Sequence, residues 1–403
     1  MTRFIEFVIA LLIVIVLFVV IGLTLPSKRS FSYSTETNRP MSTVNDLVNG
    51  FARFDDWNPI LRHDPRARLS VSGPTMGVGA KVSYTSNDRV IGDGSWEIVE
   101  SIPGEMVKYR LENNARGDDK SMTIRLERTG QRNQNVKITQ EYRVNYGWDL
   151  LGRYAGMYAS RNVGDDIKRG LDKLSNLLAT VPKFDYSSHP HDFQFTDLPA
   201  QNVLLVTTAA QRNNDEIAEA MQNQVAWIKK VMDANGLAPA GPLRIVTNEF
   251  TSATYGFDVV QPVRKRGANE PAEADDEAAD EDAADEDADA VEGEDADADA
   301  QEEGPIVEGS DTLPTEPVKS GPIELLTVKL EGPVQYEQQP ARRLAMTDYS
   351  GPAPGLPRVR DQLRAWAMTR GADVTDRPFE EYLDPIPKML AEDAHFKVYW
   401  PIK

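Results

Sequence analysis

The stretch WDLLGRYAGMYASRNVGDDIKRGLDKLSNLLA (residues 148–179) decides the fold of the first half of the chain. Its apolar side chains recur every three or four residues, which is the spacing of one face of an α-helix. The predicted face consists of Leu150, Leu151, Tyr154, Met157, Tyr158, Val163, Ile167, Leu171, Leu174 and Leu178. We therefore predict one long amphipathic helix.

Strand patterns precede this helix and begin at residues 31–35, where every second side chain falls on one face. A short helix is predicted at residues 41–54. Turn residues separate the later strands, which we place at residues 68–72, 80–85, 94–100, 106–111, 121–128 and 135–144. Regular spacing of this kind predicts an antiparallel sheet, and a long helix against a curved sheet encloses a cavity.

Three motifs stand in a fixed order before the long helix: Phe54-Asp-Asp-Trp57-Asn-Pro59, a Gly77-Val-Gly79 turn, and Gly94-Ser-Trp96-Glu-Ile98. Over residues 31–182 the order resembles the START-like, polyketide-cyclase-type (SRPBCC) superfamily. The resemblance implies a helix-grip fold with a mostly apolar pocket. The candidate pocket residues are Trp57, Tyr84, Trp96, Tyr109 and Tyr142. Ordinary core packing, with Trp57 as a plug, is the alternative for these aromatic residues.

The second half of the chain repeats one pattern of strand, helix and two strands. The first copy is expected at residues 202–208, 213–235, 243–250 and 255–260, and the second at residues 341–349, 356–369, 378–383 and 395–402. Gly236 and Gly371 stand where each helix should end. Residues 324–336 are expected to add one more sheet segment. The fold class predicted for the whole chain is therefore α+β, with a duplicated β-α-β-β unit at its end.

This repeat resembles the GyrI-like effector-binding domain. The motifs that carry the resemblance are Tyr349-Ser-Gly351-Pro352, Phe379-Glu380-Glu-Tyr382-Leu-Asp384-Pro385 and the terminal residues 398–402. The resemblance implies that Glu380 faces a hydrophobic cleft between the repeats, where it meets cationic or amphipathic ligands. A solvated strand charge is the alternative for Glu380.

Strand geometry supports the cleft, because Glu380 and Tyr382 are two residues apart and so lie on one face. A partly buried carboxylate among aromatic rings is a good receptor for an organic cation. The other predicted cleft residues are Trp366, Tyr349, Tyr255 and Trp227.

Residues 7–25 contain no charged side chain and would span roughly 28 Å as a helix, which matches a bilayer core. A cleaved signal peptide is the alternative, but its apolar region would be shorter. Arg3 on one side and Lys28, Arg29 and Arg39 on the other favour a cytoplasmic soluble part. We expect a single-pass protein of the bacterial inner membrane that contacts the lipid bilayer through residues 7–25.

The net charge of −19 is concentrated in residues 270–311, which hold 21 Asp and Glu and no Lys or Arg. The remainder is close to neutral, so no nucleic-acid partner is expected. The acidic segment belongs to an insert at residues 267–319, which should be disordered because it has few large apolar residues.

The predicted organisation is a transmembrane anchor (1–26), a START-like domain (27–182), a linker (183–198) and a GyrI-like domain (199–403) that contains the insert. No cysteine is present, which excludes disulfides and thiolate metal sites. His189 and His191 could share a metal, but a polar linker is the simpler interpretation. No metal and no cofactor are expected.

The predicted function is non-catalytic binding or sensing, at a membrane, of a hydrophobic or amphipathic small molecule, cationic molecules included. No catalytic triad or carboxylate pair stands out in the sequence. An enzyme of polyketide-cyclase or hydrolase type that uses Glu380 is the first alternative. A structural scaffold with filled pockets is the second.

Overall fold

The computed structural model describes residues 2–88, 91–187, 192–267, 312–314, 317–318, 321, 323–385 and 391–403. Within these ranges the chain is a mixed α+β protein that contains two antiparallel sheets. Nearly all of the acidic insert, together with His189 and His191, lies outside the described residues.

The chain begins with helix α1 (Thr2–Thr24), whose large apolar side chains are exposed. Between Arg3 and Thr24 the helix is long and apolar enough to cross a membrane. A signal sequence near the N-terminus can meet the same criterion of length and composition.

The first sheet has seven strands and curls into a half-barrel. Its strands are β1 (Lys28–Thr37), β2 (Arg68–Ser72), β3 (Lys81–Thr85), β4 (Gly94–Ile102), β5 (Met106–Asn113), β6 (Asp118–Thr129) and β7 (Asn135–Asn145). They are ordered β1-β7-β6-β5-β4-β3-β2, and every neighbouring pair is antiparallel. The strands therefore lie where the alternating pattern predicts them.

Helices α2 (Met41–Val48), α3 (Phe54–Trp57), α4 (Ile60–His63) and α5 (Leu150–Thr180) accompany this sheet. The second half of α5 buries Ile167, Leu171, Leu174 and Leu178 in the same core as the inward side chains of the strands. The first half differs from the prediction of one continuous buried face, because Leu151, Met157 and Tyr158 are exposed.

The second sheet has nine strands. They are β8 (Gln194–Leu198), β9 (Gln201–Gln211), β10 (Leu237–Pro239), β11 (Leu243–Phe250), β12 (Thr254–Lys265), β13 (Gln335–Gln339), β14 (Arg342–Ser350), β15 (Phe379–Tyr382) and β16 (His395–Ile402). The order is β13-β9-β12-β11-β15-β16-β14-β8, with β10 paired to β12. β15 is therefore central, with β11 on one side and β16 on the other.

Two helices cover one face of this sheet, α6 (Asn214–Asn235) and α7 (Leu356–Thr369). The Asn213 side chain caps α6 by accepting a hydrogen bond of 2.9 Å from the Glu216 amide. Gly236 ends α6 in the left-handed region at φ 62°, which favours glycine. Both helices occupy the positions predicted from the sequence.

The described part of the predicted polar linker, residues 183–187 and 192–198, contains a strand and buried side chains. Residues 194–198 form β8, which pairs with β14, and Phe195 is buried in the second core together with Tyr186. The apolar side chains of this short segment have a place in the core, so it belongs to the sheet.

The two sheets are joined by contacts at the C-terminal end of α7. Arg53 donates hydrogen bonds of 3.0 Å to the carbonyls of Met368 and Ala372. Asp46 of α2 receives the guanidinium of Arg370 at 3.3 Å and the hydroxyl of Tyr186 at 2.8 Å. The helix that flanks the central strand of the second sheet is thereby attached to the first.

Candidate functional site

The candidate site is centred on Glu380, whose side chain is 0% exposed. β15 places it directly between Ile245 of β11 and Val398 of β16, and both neighbours belong to the apolar core under the helices. Its carboxylate is therefore enclosed by apolar surface, where an unpaired charge would be very costly.

Arg360 of α7 supplies the counter-charge. Its Nη2 donates to Glu380 Oε2 at 2.7 Å, and its Nε donates to Oε1, so the contact is bidentate. Burial by itself lowers the pKa of Arg360, but the adjacent Glu380 carboxylate outweighs this and raises it. Arg360 and Glu380 form an ion pair inside the protein. The carboxylate that was expected to receive a ligand is therefore already paired with the guanidinium of Arg360.

Two tyrosines complete the cluster. Tyr255 of β12 shares a hydrogen bond of 3.1 Å between its hydroxyl and Thr247 Oγ1. Burial, and then the negative charge of Glu380, raises the pKa of Tyr255. Burial, with Tyr255 and Glu380, also raises the pKa of Tyr382 well above its ordinary value. The tyrosines stay neutral hydrogen-bonding groups at physiological pH.

A second buried ion pair lies on the opposite face of β15. Glu381 accepts hydrogen bonds from Arg244 Nε at 2.9 Å and from the Tyr399 hydroxyl at 2.7 Å. Arg244 also donates to Gln201 Oε1 at 2.7 Å. Phe379 and Tyr399 stack beside this pair with ring centroids 4.8 Å apart, away from the helices.

The structure brings together three of the six predicted cleft residues: Glu380, Tyr382 and Tyr255. Tyr349 joins them indirectly, because Phe396 packs on Tyr382 at 5.0 Å and on Tyr349 at 5.9 Å between ring centroids.

The two predicted cleft tryptophans make their contacts elsewhere. The buried ring of Trp366 packs on Phe195, with 4.6 Å between ring centroids. Trp227 is 38% exposed on α6, where Lys230 and Gly332 contact its ring. Trp366 therefore belongs to the packing between α7 and β8, and Trp227 lies on the outer side of α6.

Most of the predicted pocket residues of the first sheet fill its interior. Trp57 and Trp96 both pack on Phe54, at 5.5 and 5.3 Å between ring centroids, and Trp96 packs on Tyr109 at 5.5 Å. The Tyr109 hydroxyl donates to the carbonyl of Val48. These contacts form one continuous aromatic cluster.

The remaining two pocket candidates lie in the same core. Tyr142 packs on Phe31 at 5.5 Å, and Tyr84 lies against Gly94. Burial raises the pKa of Tyr142. The outer face of the sheet instead carries a concave depression of about 430 Å³, lined by Lys28, Arg29, Arg143 and neighbouring polar residues.

Arg360 is the functional residue that sequence reasoning missed. It lies on α7 beside Val359 and one helical turn from Leu356 and Leu363, all of which are buried. An arginine on the apolar face of an amphipathic helix needs a buried acid, and Glu380 in a strand of apolar neighbours is such an acid. The sequence signal that could have identified Arg360 is therefore a basic residue on a predicted buried helix face together with an acidic residue in a predicted buried strand.

No group of three or more His, Cys, Asp or Glu side chains that could hold a metal ion is found in the part of the chain that the structure describes.

No protein-family model matches the sequence, and no curated protein matches it significantly. Among solved structures, the EcmrR C-terminal domain is 13% identical, and the match covers 53% of this chain and 99% of that chain with a TM-score of 0.33. Ara h 8.0201 is 10% identical, with 38% and 99% covered and a TM-score of 0.28.

The prediction that the chain has no nucleic-acid partner is contradicted by a third match. A cryo-EM structure of an EcmrR–DNA complex is similar over 65% of this chain and 86% of that chain, at 13% identity and a TM-score of 0.33. The DNA complex is a property of EcmrR, and we withdraw the exclusion of nucleic acid for this chain.

Proposed function

We propose that this chain is a membrane-anchored, non-catalytic receptor or sensor for an amphipathic cation, which binds between α6 and α7 at Glu380. The observation that carries the proposal is the Arg360–Glu380 pair, two opposite charges buried between helix and sheet. Replacement of such pairs by apolar residues is often neutral or stabilising, so stability alone is a weak reason for this one. Perturbed pKa values cluster at functional sites, and both tyrosines beside this pair have raised pKa values. The pair at Glu381 shares this feature, so the position of Arg360 on a helix is what distinguishes the candidate site.

Ligand entry is an exchange of cations. Arg360 holds the carboxylate in the closed state, and the cationic group of a ligand takes its position when the guanidinium leaves. Tyr255 and Tyr382 offer ring faces and hydroxyls beside the same carboxylate, which suits an organic cation with apolar substituents. The free energy of ligand binding must offset the free energy lost when the Arg360–Glu380 ion pair breaks. The affinity therefore depends on the free energy needed to move the Arg360 guanidinium away from Glu380.

The arrangement favours a receptor over a hydrolase. A general base needs a lone pair directed at water or substrate, whereas both oxygens of Glu380 accept hydrogen bonds from Arg360. Both functions require Arg360 to move away, but a receptor then needs only one cation in exchange for another, whereas a hydrolase also needs a Glu380 lone pair directed at water, which makes the receptor the simpler proposal.

For the first sheet, a scaffold role is the second candidate. Phe54, Trp57, Trp96 and Tyr109 occupy the interior where a helix-grip protein would hold its ligand. We propose that residues 27–182 support α7 through Arg53 and Asp46, and that residues 199–403 form the GyrI-like receptor. Helix α1 is the proposed anchor.

The test uses tetraphenylphosphonium, an apolar cation, and its nearly isosteric anion tetraphenylborate. We expect the full-length protein to bind the cation in preference to the anion by isothermal titration calorimetry in detergent. Glu380→Gln should weaken cation binding at least tenfold, which is about 1.4 kcal/mol, because the receptor carboxylate is gone.

The matched control is Glu381→Gln, which neutralises the adjacent buried carboxylate on the other face of β15. It should leave the preference for the cation unchanged. Equal loss of cation binding in both variants would show a nonspecific effect of destabilisation, and equal affinity of the wild type for both ions would rule out the proposed cation site.

A further inference from the structure

A stripe of exposed apolar and aromatic residues runs along the start of α5. Leu151 and Tyr158 are 53% and 61% exposed, and with Ala155 they recur every three or four residues on one side of the helix. Trp148, which directly precedes the N-cap residue of α5, is 84% exposed. Met157 flanks the stripe and is also exposed. Arg153 is the one charged residue in the sequence between residues 150 and 160.

This part of α5 is joined directly to α1. The ring of Tyr154 stacks on Phe18 with 4.5 Å between centroids, and its hydroxyl donates to the Phe18 carbonyl at 2.8 Å. A side chain at Gly22 would meet Leu150 and Tyr154 at 3.3 Å, so glycine permits the close approach of the two helices.

Arg153 secures the same junction. Its Nη1 donates to the carbonyls of Gly22, Leu23 and Leu25 at 3.2 to 3.3 Å, where α1 ends and no helical partner remains for these groups. The charge of Arg153 is therefore used inside the protein, and its guanidinium also lies 6.0 Å from the ring centroid of Trp148.

We propose that residues 148–158 are a second membrane-binding element that lies in the bilayer interface beside α1. Phe18 is six residues before the end of α1, so Tyr154 contacts α1 roughly 9 Å inside the apolar span. Leu150 and Tyr154, which contact α1, are the chain neighbours of Leu151 and Ala155, so the stripe begins beside the apolar surface of α1. Trp and Tyr with Leu and Met are the residues typical of an interfacial helix.

The chemistry around the stripe favours lipid as the occupant. The stripe lies beside α1, whose exposed apolar side chains suit the hydrocarbon core of a bilayer. Lys28 and Arg29 begin β1 shortly after the end of α1 and, together with Asp119 and Arg143, border the depression on the outer sheet face. Basic residues just beyond an apolar span suit anionic lipid headgroups. The inference rests on the proposed anchoring by α1 but not on ligand binding at Glu380.

Because the chain has no cysteine, single cysteines can report the depth of chosen positions. Leu151→Cys and Tyr158→Cys test the stripe, Leu12→Cys is the reference within α1, and exposed Asn176→Cys is the matched control on the same helix. Each full-length variant carries the fluorophore NBD in vesicles of phosphatidylcholine and phosphatidylglycerol. Quenching is measured with doxyl-labelled lipid and with iodide.

We expect doxyl lipid to quench the probes at positions 12, 151 and 158, and iodide to quench the probe at position 176. Strong iodide quenching at 151 and 158 would overturn the proposal, since these positions would face water. Shielding from both quenchers would also overturn it, because protein would then cover the stripe. Absence of doxyl quenching at position 12 would reject the anchoring itself, whereas tetraphenylphosphonium binding reports separately on the cleft.

Discussion

Glu380 and Glu381 are neighbours on β15, and both are buried carboxylates paired with arginine, yet their partners come from different kinds of element. Arg244, the partner of Glu381, stands directly opposite it on the adjacent strand β11. Arg360, the partner of Glu380, lies on α7. The same chemistry is thus used once within the sheet and once between the sheet and a helix.

The difference shows which pair can open. Separation of Glu381 from Arg244 would also break the hydrogen bonds of Tyr399 and Gln201 to this pair, and the pairing of β11 with β15 fixes both backbones. Separation of Glu380 from Arg360 requires a side-chain rotation or a small shift of α7. We infer that the sheet pair is structural and that the helix pair is the one suited to exchange with a ligand.

The largest expected effect is from Arg244→Met. It leaves Glu381 charged and buried without its counter-charge, which should destabilise the protein by about 3–5 kcal/mol. Urea unfolding followed by circular dichroism measures this. Added Glu381→Gln should recover part of the loss, and a loss below about 1 kcal/mol would contradict a fixed structural pair.

Arg360→Met should lower the free energy of unfolding by less, about 3 kcal/mol, because water can reach Glu380 when α7 shifts away from the sheet. Tetraphenylphosphonium should restore stability in this variant by replacing the guanidinium, and thermal unfolding with and without the ion measures the rescue. The same ion should not rescue Arg244→Met. Rescue of both variants, or of neither, would remove the functional distinction between the two pairs.

The smallest expected effect is the loss of stability at alkaline pH. It should be equal for the tyrosines on the two faces of the second sheet, Tyr382 and Tyr399. Burial raises the pKa of both Tyr382 and Tyr399, while in the unfolded chain tyrosine titrates near 10. Their neutral form therefore supports the fold below pH 10, and this support falls as the pH rises through 10, by about 0.4 kcal/mol per tyrosine at pH 10 itself.

Denaturant unfolding at pH 8 and pH 10 checks this for Tyr382→Phe and Tyr399→Phe. Each variant should lose about the same small share of the alkaline destabilisation. A clearly smaller change for one variant would mean that its tyrosine already ionises in the folded protein at pH 10, which would contradict a raised pKa.

Much of the fold could be predicted from the sequence because the responsible signals are local. Periods of two and of three to four residues placed the strands and the helices, and Asn213 and Gly236 marked the ends of α6. The spacing of Glu380 and Tyr382 also placed them on one face of a strand. β8 escaped because its polar residues and a nearby proline resemble a loop, and only its pairing with β14 makes it a strand.

Less of the candidate site was predictable. Tyr255 lies in the cluster around Glu380, whereas Trp366 and Trp227 make their contacts elsewhere. An aromatic residue on a helix has the same sequence pattern whether it faces the sheet centre or a neighbouring strand. The aromatic residues of the first sheet were correctly placed inside it, but whether they line a cavity or fill it depends on packing.

The sequence by itself determined the apolar first helix, the two kinds of periodic element and the acidity of the insert, because each depends on residues close together in the chain. Only the tertiary structure decided that Arg360 neutralises Glu380 and that Arg153 caps the end of α1, across 20 and about 130 residues. Such pairings depend on how helices cross sheets and one another, and a charge has no local signal for the distant partner that makes its burial possible.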